Sequence, residues 1–265
     1  LSYNGTQGVM KQSGRDVLSF NIDLRYRKGK FSFDNKFTLD YTESQNAPQS
    51  FSVYVQTNPY YPKDYEGSVP KYLEESSVDG GFWSIKVENP LYNASLNYLD
   101  DAKEISFRNN FQMEWRPMDG IMARGRISLT KGNNKSEKFK SPFHTDFDET
   151  EKTERGSYTK STTDRWGYDG DVTVTYGKLL GDVHQVNAVL GWNFSSTRLI
   201  NDDFTAIGFP DDNVPNPAFA NEYATESKPS YSESTTRSTS IYLNLNYAYN
   251  NRYLLDVNYR KDGSS

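Results

Sequence analysis

Long hydrophobic alternation at period two constrains this chain more than any other feature. Ile105, Phe107, Asn109, Phe111, Met113 and Trp115 fall on one face, against Ser106, Arg108, Asn110, Gln112, Glu114 and Arg116 on the other. Successive side chains of a strand point to opposite sides, so this pattern predicts a strand between two different environments. "RPMDG" (Arg116 to Gly120) supplies Asp-Gly turn chemistry, and Ile121, Ala123, Gly125, Ile127 and Leu129 return against Met122, Arg124, Arg126, Ser128 and Thr130.

The same hairpin recurs. Leu18 to Arg27 alternates, turns at "KGK" (Lys28 to Lys30), and returns through Phe31, Phe33, Phe37, Leu39 and Tyr41, with Asn35 as the exception. Val172 to Tyr176 precedes "GKLLGD" and then Val186 to Phe194; Ile241 to Tyr249 precedes Asn250, Asn251 and then Tyr253 to Arg260. About eight long strands in four hairpins result, with runs of roughly 9 to 13 residues. Loop-rich sequence is expected over 42–101, with one strand-like piece, "FSVYVQ" (Phe51 to Gln56), and polar loops over about 131–159 and 195–234.

Of the 265 residues only 35% are hydrophobic and mean hydropathy is -0.84, yet 15% are aromatic, so low hydropathy here means alternation rather than disorder. The 30 basic and 35 acidic residues are spread along the chain without a basic tract, which argues against nucleic acid. No apolar run approaches the roughly 20 residues a membrane helix needs, which leaves barrels open. Cysteine is absent, so no thiolate chemistry is expected.

Three features favour a transmembrane barrel over a soluble sandwich. The runs match the roughly 9 to 11 residues that cross a bilayer at a tilt. Tight turns alternate with long polar loops. Tyr26, Trp115, Tyr176, Tyr247, Tyr249 and Tyr253 sit beside the tight turns, where an interfacial aromatic girdle belongs. On the polar faces, Asp23, Arg25, Arg108, Glu114, Arg124, Arg126, Asp256 and Arg260 need water, either around a sheet or inside a wide lumen.

Catalysis finds little support. His144 and His184 are the only histidines and read as surface or interface residues. "HTDFDETE" (His144 to Glu151) and "DDFTAIGFPDDN" (Asp202 to Asn213) cluster carboxylates without the spacing of a calcium loop, so no metal or other cofactor is expected. Tyr60, Tyr61, Tyr65, Trp83 and Tyr92, with Tyr54, Tyr72 and Phe82, populate the first long loop. They suit either stacking on substrate or packing between loops and a partner.

"NRYLLDVNYRKDGSS" (Asn251 to Ser265) resembles the strand signature of SusC-like (SusC/RagA) TonB-dependent transporters of Bacteroidetes, and "NPYYPKDYEG", "NPLYNASLN", "GFPDD" and "LSYNGTQG" resemble other segments of that family. The resemblance implies an all-β fold, a middle portion of a plugged outer-membrane barrel of about 22 strands. Residues 1–265 would all be barrel, with plug, N-terminal extension and TonB box upstream and further strands downstream. It implies import of oligosaccharides or peptides, a SusD-like lipoprotein, the TonB-ExbB-ExbD complex and outer-membrane lipid as partners, and multi-pass residence in the outer membrane. Asp23, Arg25, Arg108, Arg124 and Arg126 are then the candidate lumen-facing, substrate-binding residues. Two other readings remain: a self-contained small barrel with a structural or adhesive role, and a soluble β-rich carbohydrate-binding protein.

Overall fold

The computed structural model describes residues 1–62, 64, 66–78, 83–225 and 228–265, with backbone alone at 77, 78, 83 and 84. The strands are β1 (Ser2–Gln7), β2 (Gly14–Lys28), β3 (Phe31–Gln45), β4 (Tyr72–Val78), β5 (Trp83–Glu88), β6 (Tyr98–Met118), β7 (Ile121–Lys140), β8 (Ser157–Leu180), β9 (His184–Ile207), β10 (Glu222–Tyr223), β11 (Ser230–Tyr249) and β12 (Tyr253–Ser264). One antiparallel sheet runs in the order β1-β2-β3-β6-β7-β8-β9-β11-β12, with β10 paired to β9. β4 and β5 form a separate hairpin. β1 and β12 end the sheet order, and among the described residues no ladder joins them, so the sheet is an open strip.

The four expected hairpins are β2–β3, β6–β7, β8–β9 and β11–β12, and their turns lie at one end of the strip. Each turn carries backbone at positive φ: Gly29 at 56°, Gly120 at 82°, Gly181 and Asp182 at 54° and 58°, Asn250 and Asn251 at 48° and 53°. Glycine, Asn and Asp tolerate that region, and it matches the twist of the flanking strands.

Strand length departs from expectation. β8 and β9 each have 24 residues, and the ladders continue to Lys140, Ile207 and back from Ser157 and Ser230, through sequence read as loop. These extensions are mostly polar, with apolar residues only in places, so alternation fades; the backbone ladder persists because neighbouring strands supply hydrogen-bond partners and Thr and Ser fit the pleat. A 24-residue strand is roughly 80 Å long, far more than a bilayer crossing needs even at a 45° tilt.

"FSVYVQ" is a second correction: Phe51–Gln56 is a short helix, α1, not a strand. Among the described residues no strand pairs with it, and its groups bond locally, Val53 N to Ser50 O at 3.2 Å and Thr57 N to Tyr54 O at 3.3 Å. A second helix, α2 (Pro90–Ser95), starts where Asn89 caps Leu91 N and proline occupies the first turn.

Among the described residues no layer packs over the apolar face of the sheet. Leu24, Leu190, Ile241 and Leu255 remain more than half exposed, and Phe20, Phe111, Val172 and Val174 are also exposed on that face. A band of this extent has no place in water. Aromatic contacts border it on both sides. Near the tight turns, Tyr26 stacks on Phe33 (6.4 Å), Phe31 on Trp115 (5.8 Å) and Tyr249 on Tyr253 (6.4 Å). At the far side, Phe194 contacts Tyr168 (6.3 Å) and Trp192 (4.9 Å), next to exposed Trp166. On β8 the band runs from Tyr176 to Trp166, about 34 Å along the strand, or about 25 Å in height at the usual tilt.

Candidate functional site

The opposite face of the strip is polar, and its residues meet in cross-strand rows. Arg25, Asp34, Gln112, Arg126 and Asp171 are consecutive register partners from β2 to β8. Arg25 Nε lies 2.5 Å from Asp34 Oδ1, and Arg126 Nη2 lies 2.6 Å from Asp171 Oδ1. One row nearer the tight turns, Glu114 receives Arg116 at 2.7 Å and Arg124, its register partner, at 3.6 Å. One row the other way, Asp23 stands opposite Lys36.

Two hollows open on this face. One, of about 640 Å³, is lined by Asp23, Arg25, Asp34, Lys36, Gln112 and Arg126. The next, of about 660 Å³, lies further from the tight turns and is lined by Lys36, Asp40, Glu104, Arg108, Thr130 and Arg165, among others.

Beyond the long strands the loops form a cross-braced layer. Asn93 Nδ2 donates to Thr145 Oγ1 at 2.8 Å, Asn97 Nδ2 donates to Asp212 O at 2.7 Å, and Ser141 Oγ donates to Asp212 Oδ2 at 3.1 Å. These bonds tie α2 to the β7–β8 loop and to the segment after β9. Asp148 receives both Lys71 and the Tyr72 hydroxyl, while Arg155 Nη2 donates to its carbonyl at 2.9 Å. Burial raises the Asp148 carboxyl, but Lys71 and Tyr72 outweigh it and hold the group below the usual carboxylate range. Phe139, Tyr158 and Phe209 form the buried cluster beneath, with Phe139 edge-on to Phe209 at 5.1 Å.

A sheet with one naked apolar face between aromatic borders and one wet, ion-paired face matches the wall of a wide membrane barrel. No family model matches the chain. TonB-dependent receptor P26 of Formosa agariphila is 27% identical over all of this chain, which spans 26% of that receptor. The solved RagAB peptide transporter superposes with a TM-score of 0.73 at 14% identity, over 99% of this chain and 29% of that one. The RagAB peptide importer in its 'open-open' state gives 0.72 at 15% identity, over 96% of this chain and 28% of that one. BauA, the ferric preacinetobactin receptor from Acinetobacter baumannii, gives 0.51 at 13% identity, over 99% and 36%. The chain has the fold of a stretch of outer-membrane barrel wall like that of the RagAB transporter.

Within this barrel wall, Asp23, Arg25 and Arg126 share the first hollow, Arg108 belongs to the second, and Arg124 is held by Glu114 outside both. Among the described residues the loop aromatics do not converge. Tyr60 is 92% exposed; Tyr61 donates to Glu74; Lys71 Nζ lies 6.0 Å from the Tyr92 ring centroid. Trp83 opens β5, where backbone alone is described, and Tyr65 and Phe82 lie outside the described residues.

Of the surface-or-interface reading, His144 fits the second part, packed between loops. Its side chain is 12% exposed, Nδ1 accepts from Asp146 N at 3.2 Å, and Nε2 faces the Gln49 amide at 3.1 Å. Burial depresses its pKa, against an opposing pull from Asp146. His184 packs on Tyr249 (5.0 Å) and bonds the Tyr247 hydroxyl at 2.7 Å, within the lower aromatic border.

Sequence reading passed over Arg165 and the β8 side of the second aromatic border. Both occupy the stretch before Val172, where Trp166 and Tyr168 alternate with Arg165 and Gly167. That two-step pattern was the available signal.

Proposed function

We propose that residues 1–265 are one continuous piece of a single barrel domain in a TonB-dependent importer of oligosaccharides or peptides, with plug and N-terminal extension in other parts of the protein. A SusD-like lipoprotein would close the mouth formed by the long strands and braced loops, and TonB, with ExbB and ExbD, would drive release by acting on the plug. No bond in the cargo is broken, so selection rests on hydrogen bonding and charge in a wet cavity. Asp23, Arg25, Arg108, Arg124 and Arg126 serve as water-facing wall. The observation that carries this reading is the two-faced wall itself, in a chain whose relative is a TonB-dependent receptor.

Deleting the full gene tests it. The strain should lose uptake of a defined set of oligosaccharides or peptides and regain it on complementation, and a lipoprotein should co-purify with the detergent-extracted protein. Unchanged uptake of every nutrient, or a protein monodisperse in buffer without detergent, defeats the proposal. The closed eight-stranded alternative draws no support from a strip whose end strands do not pair among the described residues.

A further inference from the structure

Charges on the inner wall occur in two conditions. In the rows nearest the tight turns most arginines are matched, Arg25 with Asp34, Arg126 with Asp171, Arg116 and Arg124 with Glu114, and Arg27 alone of that group has no ion pair among the described residues. In the second hollow, Lys36, Arg108 and Arg165 stand on the same face, and among the described residues none of them has an ion pair or a side-chain hydrogen bond.

Register places the two arginines around one strand. Arg108 of β6 is the partner of Thr130 on β7, and Arg165 of β8 is the partner of Gly132, two positions along β7. They flank β7 from opposite sides, on strands roughly 10 Å apart, within joint reach of their long side chains. Between them the floor is bare: a Cβ at Gly132 would meet only Ile105 O, at 4.0 Å. Thr130 and Asn134 add hydrogen-bonding groups along the same strand.

Guanidinium forks match the paired oxygens of a carboxylate or sulfate, and a hollow that limits bulk water strengthens such contacts. Asp40 and Glu104 bound the hollow on its β3 side and its outer side. They would repel a run of negative charge, so the fit is to one anionic group on an otherwise neutral or zwitterionic oligomer. We propose that Arg108 and Arg165 form an anion subsite that grips a single side-chain carboxylate, uronate or sulfate of the imported oligomer, and not the terminal carboxylate of a zwitterionic peptide. This rests on the importer reading above.

The test uses the full-length protein in a strain deleted for its gene, fed a protein digest and a polysaccharide hydrolysate, each split by anion exchange into neutral and anionic pools. Depletion of each pool is followed by mass spectrometry, which separates peptide carboxylates from uronates and sulfates. The Arg108→Gln/Arg165→Gln double variant should slow depletion of anionic oligomers at least about tenfold, the loss expected from removing charge-assisted hydrogen bonds, while neutral oligomers change less than about twofold. The Arg108→Lys/Arg165→Lys variant keeps the charge but loses the fork, and should retain an intermediate preference, which guards against misfolding of the first. An equal fall in both pools, or no fall in either, overturns the subsite. So does loss of barrel heat-stability at an unchanged anionic-to-neutral ratio, which would give the arginines a structural role only. If the deletion strain depletes both pools as fast as wild type, the importer reading itself fails and the subsite with it.

Discussion

Asn35 and Asn109 break the apolar face of two neighbouring strands and satisfy each other: Asn35 Nδ2 donates to Asn109 Oδ1 at 3.0 Å, and Asn109 Nδ2 donates back to Asn35 Oδ1 at 3.2 Å. They lie diagonally across the β3–β6 ladder, Asn35 opposite Phe111 and Phe37 opposite Asn109. Read singly, each is a polar intrusion in a lipid-facing band. As a reciprocal pair, each covers one donor and one acceptor of the other where lipid supplies none.

A double-mutant cycle follows from this pairing. Asn35→Leu or Asn109→Leu alone strands one amide in hydrocarbon and should cost about 1–3 kcal/mol, whereas the double leucine variant should recover most of that loss. Urea unfolding of the full-length barrel in vesicles measures it. Additive single and double effects would show that the amides act independently.

Two glycines on the same face should behave oppositely. A Cβ at Gly170 would lie 2.5 Å from Phe194 Cζ and 2.7 Å from the Arg126 carbonyl, while one at Gly125 meets nothing within 4 Å. The Phe194 ring can tilt but the carbonyl belongs to the ladder, so Gly170→Val should destabilise by about 1–3 kcal/mol. Gly125→Ala should stay within about 0.5 kcal/mol of wild type. Similar heat-modifiability of both variants in gel shifts would refute the distinction.

Phe139 is 2% exposed in the small cluster under the loops, and Phe139→Ala should cost about 3–5 kcal/mol of local stability. The membrane band lies elsewhere on the strands. Protease cleavage within 141–156 and 208–221 should therefore rise while the barrel keeps its heat-resistant form.

Acidification should loosen the same layer through His144. Burial first, only partly opposed by Asp146, sets its folded pKa below the ordinary 6.5. Between the two values the unfolded chain binds more protons, so stability rises with pH. The contribution is intact above about pH 6.5 and is lost as pH falls through the folded pKa. Hydrogen exchange of 141–156 at pH 7.5 and pH 5 should show the difference, and His144→Gln should abolish it; persistence in the variant would point to another group.

Alternation alone was enough to reveal the eight long strands, their four tight turns, the aromatic border at Tyr26, Trp115 and Tyr253, and the face on which Asp23, Arg25, Arg108, Arg124 and Arg126 lie. Each is a local consequence of side chains pointing alternately to two sides, written wherever those sides differ in polarity. Only the tertiary structure decided how far the strands continue, that Phe51–Gln56 is helical, that His144 is packed, and that Arg126 is matched while Arg108 is not. Those outcomes depend on which backbone or side chain a neighbouring strand or loop brings into hydrogen-bond range. Register across the sheet sets that range, and no single strand's sequence records its neighbour's register.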